Sequence, residues 1–431
     1  MSNTYKLNDF QHFHLVGIGG IGISGLARFL LNEKKTVTGT NDVPSPKTLQ
    51  DLEEMGVVID YDTSELPEAD IYVFSEAWRS INPEILKKAE ATGKPVVNYF
   101  EALGMAANPY YLIAVAGTHG KTTTTAMLTD VFEKSGKDPT AIIGSLRSST
   151  GSNYRAGKSK YAIVEACEFR RDFLHLKPDV LVLLNLEHEH VDYYQSLKSV
   201  QKAFAELIAK VNESGVVIAD SKNPNLVPVL KDAPVSVVDY TEYLDIALPM
   251  KQPGMHNRQN AAAALAVADY EKLPKDTARQ AISEFAGTWR RFEYKGEVNG
   301  AMVYDDYAHH PTEIKAALAG ARELYPDRRI LAIFQPHTYS RTKALFADFA
   351  KAFSDADEVI VAPIYAAREE SDETVSVREL AVKMLEYTPR AQFIEKFADI
   401  VSTVKAKAGA SDVVIVLGAG PITEVATKLT E

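Results

Sequence analysis

Residues Ala114–Met127, with the sequence AVAGTHGKTTTTAM, contain a glycine-rich turn that delivers Lys121 and Thr122 to the start of a helix. The apolar run Tyr111–Ala116 predicts a buried strand before this turn, and Thr123–Lys134 predicts a helix after it. A strand, a glycine-rich loop and a helix in this order are typical of a phosphate-binding site. The stretch therefore predicts a nucleotide-binding domain built on a parallel α/β sheet.

The chemistry of this loop follows from where its polar groups would point. Backbone N–H groups from Gly120 to Thr123 would face phosphate oxygens, and the ammonium group of Lys121 would reach the terminal phosphate. The hydroxyl of Thr122 is a hard oxygen ligand, which predicts Mg²⁺. The spacing departs from the usual pattern, because Val115 stands five residues before Gly120, where a glycine is usual. The alternative to a phosphate-binding loop is an ordinary turn that is rich in glycine and threonine and carries a surface lysine.

Composition limits the class of protein. The 431 residues are too many for one typical domain and predict two or three. Because the chain lacks a run of about 18 apolar residues and Met1–Phe10 lacks the pattern of a secretory leader, we expect a soluble cytoplasmic protein without membrane insertion. A net charge of −11 argues against nucleic acid as the main partner, and one cysteine, Cys167, excludes an internal disulfide or a cysteine-cluster metal site. The sequence gives no indication of oligomeric state.

Strand and helix patterns alternate along the whole chain, which predicts parallel sheets covered by helices. They form three stretches, with one boundary at the polar turn Ala106–Pro109 and another near Glu293–Gly296. In the third stretch, Thr342–Phe353 is predicted to form a single helix.

A second glycine-rich turn, Gly17–Gly22 (GIGGIG), follows a predicted strand at His12–Ile18 and precedes a predicted helix at Ile21–Glu33. This pattern fits NAD, FAD and other phosphate-bearing ligands equally well. Asp42 could bind a ribose, so NAD stays an open alternative, as does a tight turn without a ligand. The other nucleotide loop, about 100 residues later, favours two phosphorylated substrates over a redox cofactor.

Two acidic clusters follow apolar runs in the second stretch. They are Glu165–Arg171 (EACEFRR) and Glu187–Asp192 (EHEHVD). Ligands of open parallel sheets bind beyond the carboxyl ends of the strands, which is where these clusters would lie. Carboxylates favour Mg²⁺, with His190 as an imidazole ligand to a second ion. Zinc is an alternative, because His188 and His190 are two residues apart and could both face one side of a strand as ligands. His188 could also be a solvated loop histidine without a ligand.

Polar side chains also follow two predicted strands of the third stretch. The segments are Asp305–Pro311 (DDYAHHP) and Gln335–Arg341 (QPHTYSR). One histidine at such a position is as consistent with structure as with function, but two beside Asp or Arg favour a site. A further segment, His256–Asn260 (HNRQN), opens an alanine-rich helix, where Asn257 either caps the helix or contacts a ligand.

Seven segments in this order resemble the Mur ligase family: GIGGIGISGLA, AVAGTHGKTTTTAM, EACEFRRDFL, PGMHNRQNAAAALAVA, WRRFE, DDYAHHPTEI and QPHTYSRT. They are most similar to the members that join L-alanine to UDP-N-acetylmuramate, and the similarity covers nearly the whole chain. The resemblance implies an α/β fold with a Rossmann-like N-terminal domain for the UDP-sugar (1–107), a central P-loop-type ATPase domain (108–293) and a Rossmann-like C-terminal domain for the amino acid (294–431). It also implies ATP as co-substrate, Mg²⁺ as cofactor and an acyl-phosphate intermediate in peptidoglycan precursor synthesis.

The resemblance further implies roles for individual residues. The UDP-sugar would contact Gly17, Gly19, Gly20, Ile21, Gly22 and Ser75. ATP would contact Gly117, Thr118, His119, Gly120, Lys121, Thr122, Thr123, Asn257, Arg291 and Asp305. One Mg²⁺ would be bound by Thr122 and Glu165, and a second by His190. The amino acid would contact Tyr307, His309, His337 and Arg341. The residues expected to act in catalysis are Lys121, His190, His309 and Arg341.

Two other functions stay open at the level of the sequence. A nicotinamide-dependent dehydrogenase would use the first glycine turn but would leave Lys121 and Thr122 without a role. A nucleotide-regulated binding protein would use both loops, perform no chemistry and release no phosphate.

Overall fold

The computed structural model describes residues 5–42, 48–190, 193–367 and 369–431. The chain is divided into two compact units. The larger unit contains Met1–Pro249 and Gln259–Phe285, and the smaller contains Met250–Arg258 and Ala286–Glu431. Among the described residues, no helix is long and apolar enough to cross a membrane.

The first sheet of the larger unit has five strands, all parallel. The strands are β1 (His12–Val16), β2 (Thr36–Thr40), β3 (Val58–Asp60), β4 (Ile71–Phe74) and β5 (Val96–Asn98). Their order is β3-β2-β1-β4-β5, which is the Rossmann order and confirms that prediction. The helices are α1 (Ile21–Asn32), α2 (Gln50–Glu54), α3 (Glu76–Ile81), α4 (Pro83–Ala91) and α5 (Tyr99–Ala107). The winding reverses beside β1, so a ligand site is expected at the glycine turn that follows this strand.

The second sheet of the larger unit is centred on the strand that leads into the phosphate loop. Its strands are β6 (Tyr111–Ala116), β7 (Thr140–Ile142), β8 (Tyr154–Arg155), β9 (Tyr161–Glu165), β10 (Val180–Leu183), β11 (Val216–Ala219) and β12 (Ser236–Asp239). Their order is β12-β11-β10-β6-β9-β7-β8, and all pairs are parallel except β7 with β8. The helices are α6 (Lys121–Lys134), α7 (Leu197–Ile208), α8 (Val227–Leu230) and α10 (Lys275–Glu284), together with the part of α9 (Met255–Tyr270) from Gln259 onward. Since β9 and β10 flank β6, the segments that follow these three strands meet at one edge.

The smaller unit contains the third sheet. Its strands are β13 (Glu293–Val298), β14 (Ala301–Asp306), β15 (Arg329–Phe334), β16 (Glu358–Val361), β17 (Ala391–Phe393) and β18 (Asp412–Leu417). Their order is β13-β14-β18-β15-β16-β17, and only β13 is antiparallel to its neighbour among the described pairs. The helices are α11 (Pro311–Leu324), α12 (Tyr339–Ala344), α13 (Phe346–Lys351), α14 (Val377–Met384), α15 (Phe397–Lys407) and α16 (Thr423–Thr430). Apolar cores lie on both faces, around Phe334 on one and Ile333 on the other.

The first two sheets share one hydrophobic core, which extends from Phe13 of β1 to Leu183 of β10. A buried polar contact also joins them, because the side chain of Asn153 donates to the carbonyl of Ile21 (2.5 Å) and accepts from Arg28 (2.8 Å). This contact fixes the start of α1 against the second sheet. The predicted domain boundaries stay predictions, since the compact units keep the first two sheets together.

Candidate active site

The phosphate loop runs from the end of β6 to the start of α6 and depends on two glycines. Gly117 has a φ of 134° and Gly120 a φ of 87°, in the region that residues with a side chain rarely adopt. A Cβ atom on Gly120 would also lie 2.3 Å from Oδ1 of Asn260. The loop therefore needs glycine at Gly120 for both its conformation and its close packing.

Asn185, which lies just beyond β10, holds the loop in place. Its side-chain oxygen accepts from the N–H of His119 (2.8 Å), and its side-chain nitrogen donates to the carbonyl of the same residue (3.0 Å). Its backbone carbonyl accepts from the N–H of Thr118 (3.1 Å). Sequence reasoning missed Asn185, although an amide directly after a strand that neighbours β6 is a usable indication.

Lys121 is the first residue of α6, and its ammonium group folds back onto the loop. Nζ donates to the carbonyls of Gly117 (2.5 Å) and Thr118 (3.0 Å) and to Oε2 of Glu168 (3.0 Å). Burial lowers the pKa of Lys121, but the electrostatic interactions with Glu168, Cys167 and Glu165 together more than offset this, so the pKa lies above its ordinary value. The lysine is therefore charged at neutral pH.

Oxygen donors gather next to this lysine. The hydroxyl of Thr122 donates to Oε2 of Glu165 (2.8 Å), which is the last residue of β9. Gly144 makes room for this carboxylate, because a Cβ atom there would lie 2.0 Å from Oε2. The donors are a hydroxyl and a carboxylate, which are the hard ligands that fit Mg²⁺.

His190 lies beside the same cluster. Its Nε2 is 3.9 Å from Oε1 of Glu168, and its ring packs on Phe169 with centroids 4.8 Å apart. It has a φ of 52°, an unusual conformation for a residue with a side chain. His188, by contrast, binds the carbonyl of Tyr194 (2.7 Å). This hydrogen bond engages Nε2 of His188, and the choice between Mg²⁺ and zinc stays a prediction.

The first glycine turn is closely packed. Gly17 has a φ of 79°, and a Cβ atom there would lie 2.2 Å from the indole ring of Trp78. The N–H of Gly19 donates to Oδ1 of the buried Asn41 (3.1 Å). Helix α1 then begins after Gly20 without a capping side chain at that position. Its first turn thus presents backbone N–H groups of the kind that bind a diphosphate.

One cavity of about 300 Å³ borders both the first glycine turn and the oxygen donors beside the phosphate loop. Its lining includes Gly20, Gly22 and Ser75 on one side and Gly144 and Glu165 on the other. The predicted UDP-sugar residues and the predicted metal ligand Glu165 are therefore brought to a common space within the larger unit.

In the smaller unit, Asp305 and Arg290 form a buried ion pair. The side chain of Asp305 has no exposed surface, and its Oδ2 lies 3.2 Å from Nε of Arg290. The hydroxyl of Thr423 donates to the same oxygen (2.5 Å), and Arg290 also donates to the carbonyls of Gly418 and Gly420. This geometry gives Asp305 structural partners, and its predicted contact with ATP stays a prediction. Sequence reasoning missed Arg290.

Asp306, the last residue of β14, organises the segment that follows. Its carboxylate accepts from the N–H groups of Phe292 and Ala308, both at 2.7 Å. Burial raises the pKa of Asp306 to about 6. The ring of Tyr307 lies 5.2 Å from the guanidinium of Arg291, so two of the predicted site residues meet here.

The predicted amino-acid residues also come together within the smaller unit. The rings of His309 and His337 are 5.5 Å apart, and Nη1 of Arg341 lies 2.8 Å from Nδ1 of His337. Nδ1 of His309 lies 3.0 Å from the carbonyl of Tyr307. Asn257 does not cap α9, because its side-chain nitrogen donates to the carbonyl of Pro253 (2.8 Å) from inside the first turn.

Comparison with known proteins gives a consistent result along the chain. Three domain families match it: "Mur ligase family, catalytic domain" at residues 12–111, "Mur ligase middle domain" at 115–247, and "Mur ligase, glutamate ligase domain" at 290–420. A UDP-N-acetylmuramate--L-alanine ligase of Caldanaerobacter subterraneus subsp. tengcongensis is 38% identical over 99% of this chain and 98% of its own. The chain belongs to the Mur ligase family. The ligase of the same name from Acetivibrio thermocellus is also 38% identical, over 97% of this chain and 95% of its own.

Solved structures agree with this assignment. The UDP-N-acetylmuramate-alanine ligase of Thermotoga maritima matches with a TM-score of 0.81 and 27% identity, over 97% of this Mur ligase and 98% of that chain. A murein peptide ligase from Psychrobacter arcticus matches with a TM-score of 0.72 and 25% identity, over 98% and 99% of the two chains. The predicted three-domain α/β fold is thereby confirmed.

Proposed function

We propose that this Mur ligase uses ATP to join L-alanine to the lactyl carboxylate of UDP-N-acetylmuramate, a cytoplasmic step in peptidoglycan precursor synthesis. The observation that carries the proposal is the cavity shared by the first glycine turn and Glu165. A sugar nucleotide with its diphosphate at Gly20 would extend toward the phosphate loop, where ATP would present its terminal phosphate. The names of the relatives support L-alanine as the amine substrate.

The same cavity argues against the two alternative functions. A dehydrogenase has no use for a phosphate loop next to its dinucleotide turn, and NAD would leave the pair of Thr122 and Glu165 without a role. A binding protein that performs no chemistry would not need Lys121, held by Glu168, next to the pair of Thr122 and Glu165.

In the first step, an oxygen of the lactyl carboxylate attacks the γ-phosphorus of ATP, the bond to the bridging oxygen breaks, and ADP leaves. The product is an acyl phosphate. Lys121 and the backbone N–H groups of the loop would stabilise the charge that spreads over the transferred phosphoryl group. The pair of Thr122 and Glu165 would hold one Mg²⁺ and His190 would bind a second, and these ions supply positive charge to the phosphate oxygens when bound.

In the second step, the amine of alanine attacks the acyl carbon, and phosphate leaves from the tetrahedral intermediate. Arg341 would bind the carboxylate of alanine through paired hydrogen bonds. The carbonyl of Tyr307 favours the His309 tautomer with its proton on Nδ1. The lone pair then lies on Nε2, and this atom would take the proton from the amine.

The acyl phosphate provides a direct test of this function. The enzyme is incubated with ATP, UDP-N-acetylmuramate and hydroxylamine, without an amino acid. We expect ADP together with the hydroxamate of the lactyl group, identified by its mass. ADP formation without UDP-N-acetylmuramate, or full ligase turnover with no trapped hydroxamate, would contradict the proposed route.

Loss of a metal ligand should change the requirement for Mg²⁺. We expect Glu165→Gln and His190→Ala each to raise the Mg²⁺ concentration at half-maximal rate by at least about tenfold, because each removes a donor from the site. The matched control is Glu271→Gln, whose carboxylate accepts from Tyr111 (2.8 Å) and Tyr161 (3.0 Å), the first residues of β6 and β9. Titrations that overlay the wild type would exclude both residues as ligands. Mg²⁺ alone should restore full activity after exhaustive chelation, which tests zinc.

The first glycine turn should bind the sugar nucleotide. Gly20 lines the cavity, and a Cβ atom there would lie 3.3 Å from Ile23 and 3.4 Å from the carbonyl of Gly17, so Gly20→Val would crowd this wall of the cavity. We expect calorimetry to show affinity for UDP-N-acetylmuramate reduced by on the order of tenfold, with ADP binding unchanged. The control is Gly409→Val, where a Cβ atom meets nothing within 4 Å. NADH binding at comparable affinity, lost in Gly20→Val, would overturn this assignment.

A further inference from the structure

The ammonium group of Lys121 is already engaged by the protein. Its side chain is only 11% exposed, and Nζ has hydrogen bonds to two loop carbonyls and to Glu168. An ammonium group has three N–H donors, so these contacts occupy its full capacity. A phosphate that binds Lys121 must therefore replace or share one of them.

Glu168 is held more firmly than the lysine that it contacts. Its side chain is 2% exposed, and the carboxylate lies between Lys121 (3.0 Å) and His190 (3.9 Å). Its backbone carbonyl accepts from the hydroxyl of Tyr194 (2.6 Å) and from the N–H of Arg171 (2.9 Å). Since two donors hold the backbone carbonyl of Glu168 and its side chain is buried, the long lysine side chain is the partner that can move.

We propose that Glu168 is a positioning residue that holds Lys121 against the loop before the nucleotide binds and yields the ammonium group to the phosphate. This inference rests on the proposed function, because that function assigns ATP to the loop. A nucleotide phosphate and the carboxylate of Glu168 are both negative and compete for the same cation. The carboxylate thus weakens nucleotide binding and keeps the lysine in a defined place.

The test is calorimetric titration of the full-length enzyme with ADP, first in EDTA and then in Mg²⁺. Glu168→Gln keeps the size of the side chain and removes its charge. We expect this variant to bind ADP at least about threefold more tightly in EDTA, because the phosphate no longer competes with a carboxylate. We also expect ADP to raise the Tm of the variant more than that of the wild type, since the phosphate replaces the lost counter-ion.

Two further variants isolate the role of Lys121. In the double variant Lys121→Ala with Glu168→Gln, the tightening relative to Lys121→Ala alone should disappear. Glu206→Gln is the matched control. The carboxylate of Glu206 is 40% exposed and pairs with Arg171, which lies three residues after Glu168. It should bind ADP as the wild type does.

Several results would overturn the inference. They are unchanged or weaker ADP binding by Glu168→Gln in EDTA, or tightening that persists in the double variant. A variant that binds ADP normally in EDTA but more weakly in Mg²⁺ would make Glu168 a metal ligand instead. If Glu168→Gln does not fold, Glu168→Asp takes its place. The shorter side chain draws the carboxylate away from Lys121 while keeping its charge, so this variant should also bind ADP more tightly than the wild type. Wild-type enzyme that binds no ADP would contradict the proposed function itself.

Discussion

Replacing Lys121 with alanine is expected to lower kcat/KM for ATP by on the order of 10²-fold or more, with the fold retained. Alanine removes a cation from the loop where charge develops on the transferred phosphoryl group. The side chain of Lys121 is largely buried, because Glu168 and two loop carbonyls surround its ammonium group. Rates of ADP release give the loss in activity, and the circular dichroism spectrum and Tm report on the fold.

The control for this variant comes from the same helix. Lys134 is the last residue of α6, pairs with Glu284 and is 38% exposed. Lys134→Ala should keep activity within about twofold of the wild type, as expected for a surface ion pair. If Lys121→Ala stays within about threefold of the wild type, the assignment of the phosphate loop is wrong.

Arg290→Ala is expected to lower the free energy of unfolding by about 3–5 kcal/mol, the range for breaking a buried ion pair. The variant leaves the carboxylate of Asp305, which has no exposed surface, without its guanidinium partner. The carbonyls of Gly418 and Gly420 lose their donors as well. Denaturant or thermal unfolding, followed by a probe in the smaller unit, measures the loss.

This loss should depend on pH in a defined direction. Burial raises the pKa of Asp305 and Arg290 opposes this, so in Arg290→Ala the pKa should rise further. A carboxyl group that binds its proton more tightly when folded stabilises the protein at low pH and loses this contribution as the pH rises. The difference between variant and wild type should therefore be smaller near about pH 5 than near about pH 8.

The comparison variant is Lys383→Ala, which breaks an exposed pair with Glu386 in the same unit. It should leave Tm nearly unchanged. A loss below about 1 kcal/mol for Arg290→Ala would show that the ion pair does not stabilise the smaller unit.

The sequence predicts the central strands well, because buried parallel strands are continuous apolar runs. The strand Tyr111–Ala116 has the bounds that the sequence predicts. The strand predicted at His12–Ile18 ends at Val16, since Gly17 turns the chain with a positive φ.

Two predicted elements differ from the structure. The single helix predicted at Thr342–Phe353 is two short helices, because Leu345 between them has a φ of −111° and a ψ of 20°. The polar turn predicted at Ala106–Pro109 is partly right, because Ala106 and Ala107 are the last residues of α5 and the turn begins at Asn108. That helix begins with a capping box, in which the side chains of Asn98 and Glu101 each accept from the backbone N–H of the other.

The candidate site was predictable as far as its motifs lie at strand ends. Glu165 ends a parallel strand, and Gly20, His309 and His337 follow such strands, so the topology places them at the edges where ligands bind. Glu168 and Arg290 were not assigned roles, because their partners are distant in sequence or depend on side-chain direction. Local spacing does not report which carboxylate reaches Lys121.

The most specific claim of the proposed function is that L-alanine is the preferred amino acid. Arg341 and His309 would satisfy groups that every amino acid has, so selectivity must come from the space around the side chain. A pocket for one methyl group separates neighbours by roughly 1–3 kcal/mol per methylene. Glycine and L-serine should therefore be poor but measurable substrates, and D-glutamate should be rejected.

The rate of ADP release with UDP-N-acetylmuramate across a panel of amino acids tests the central claim most directly. Each reaction contains ATP and Mg²⁺, and parallel reactions omit the UDP-sugar or the amino acid. We predict the highest rate with L-alanine, lower rates with glycine and L-serine, and none above background with D-glutamate or without UDP-N-acetylmuramate. A higher rate with D-glutamate than with L-alanine, or a rate independent of the UDP-sugar, would contradict the account.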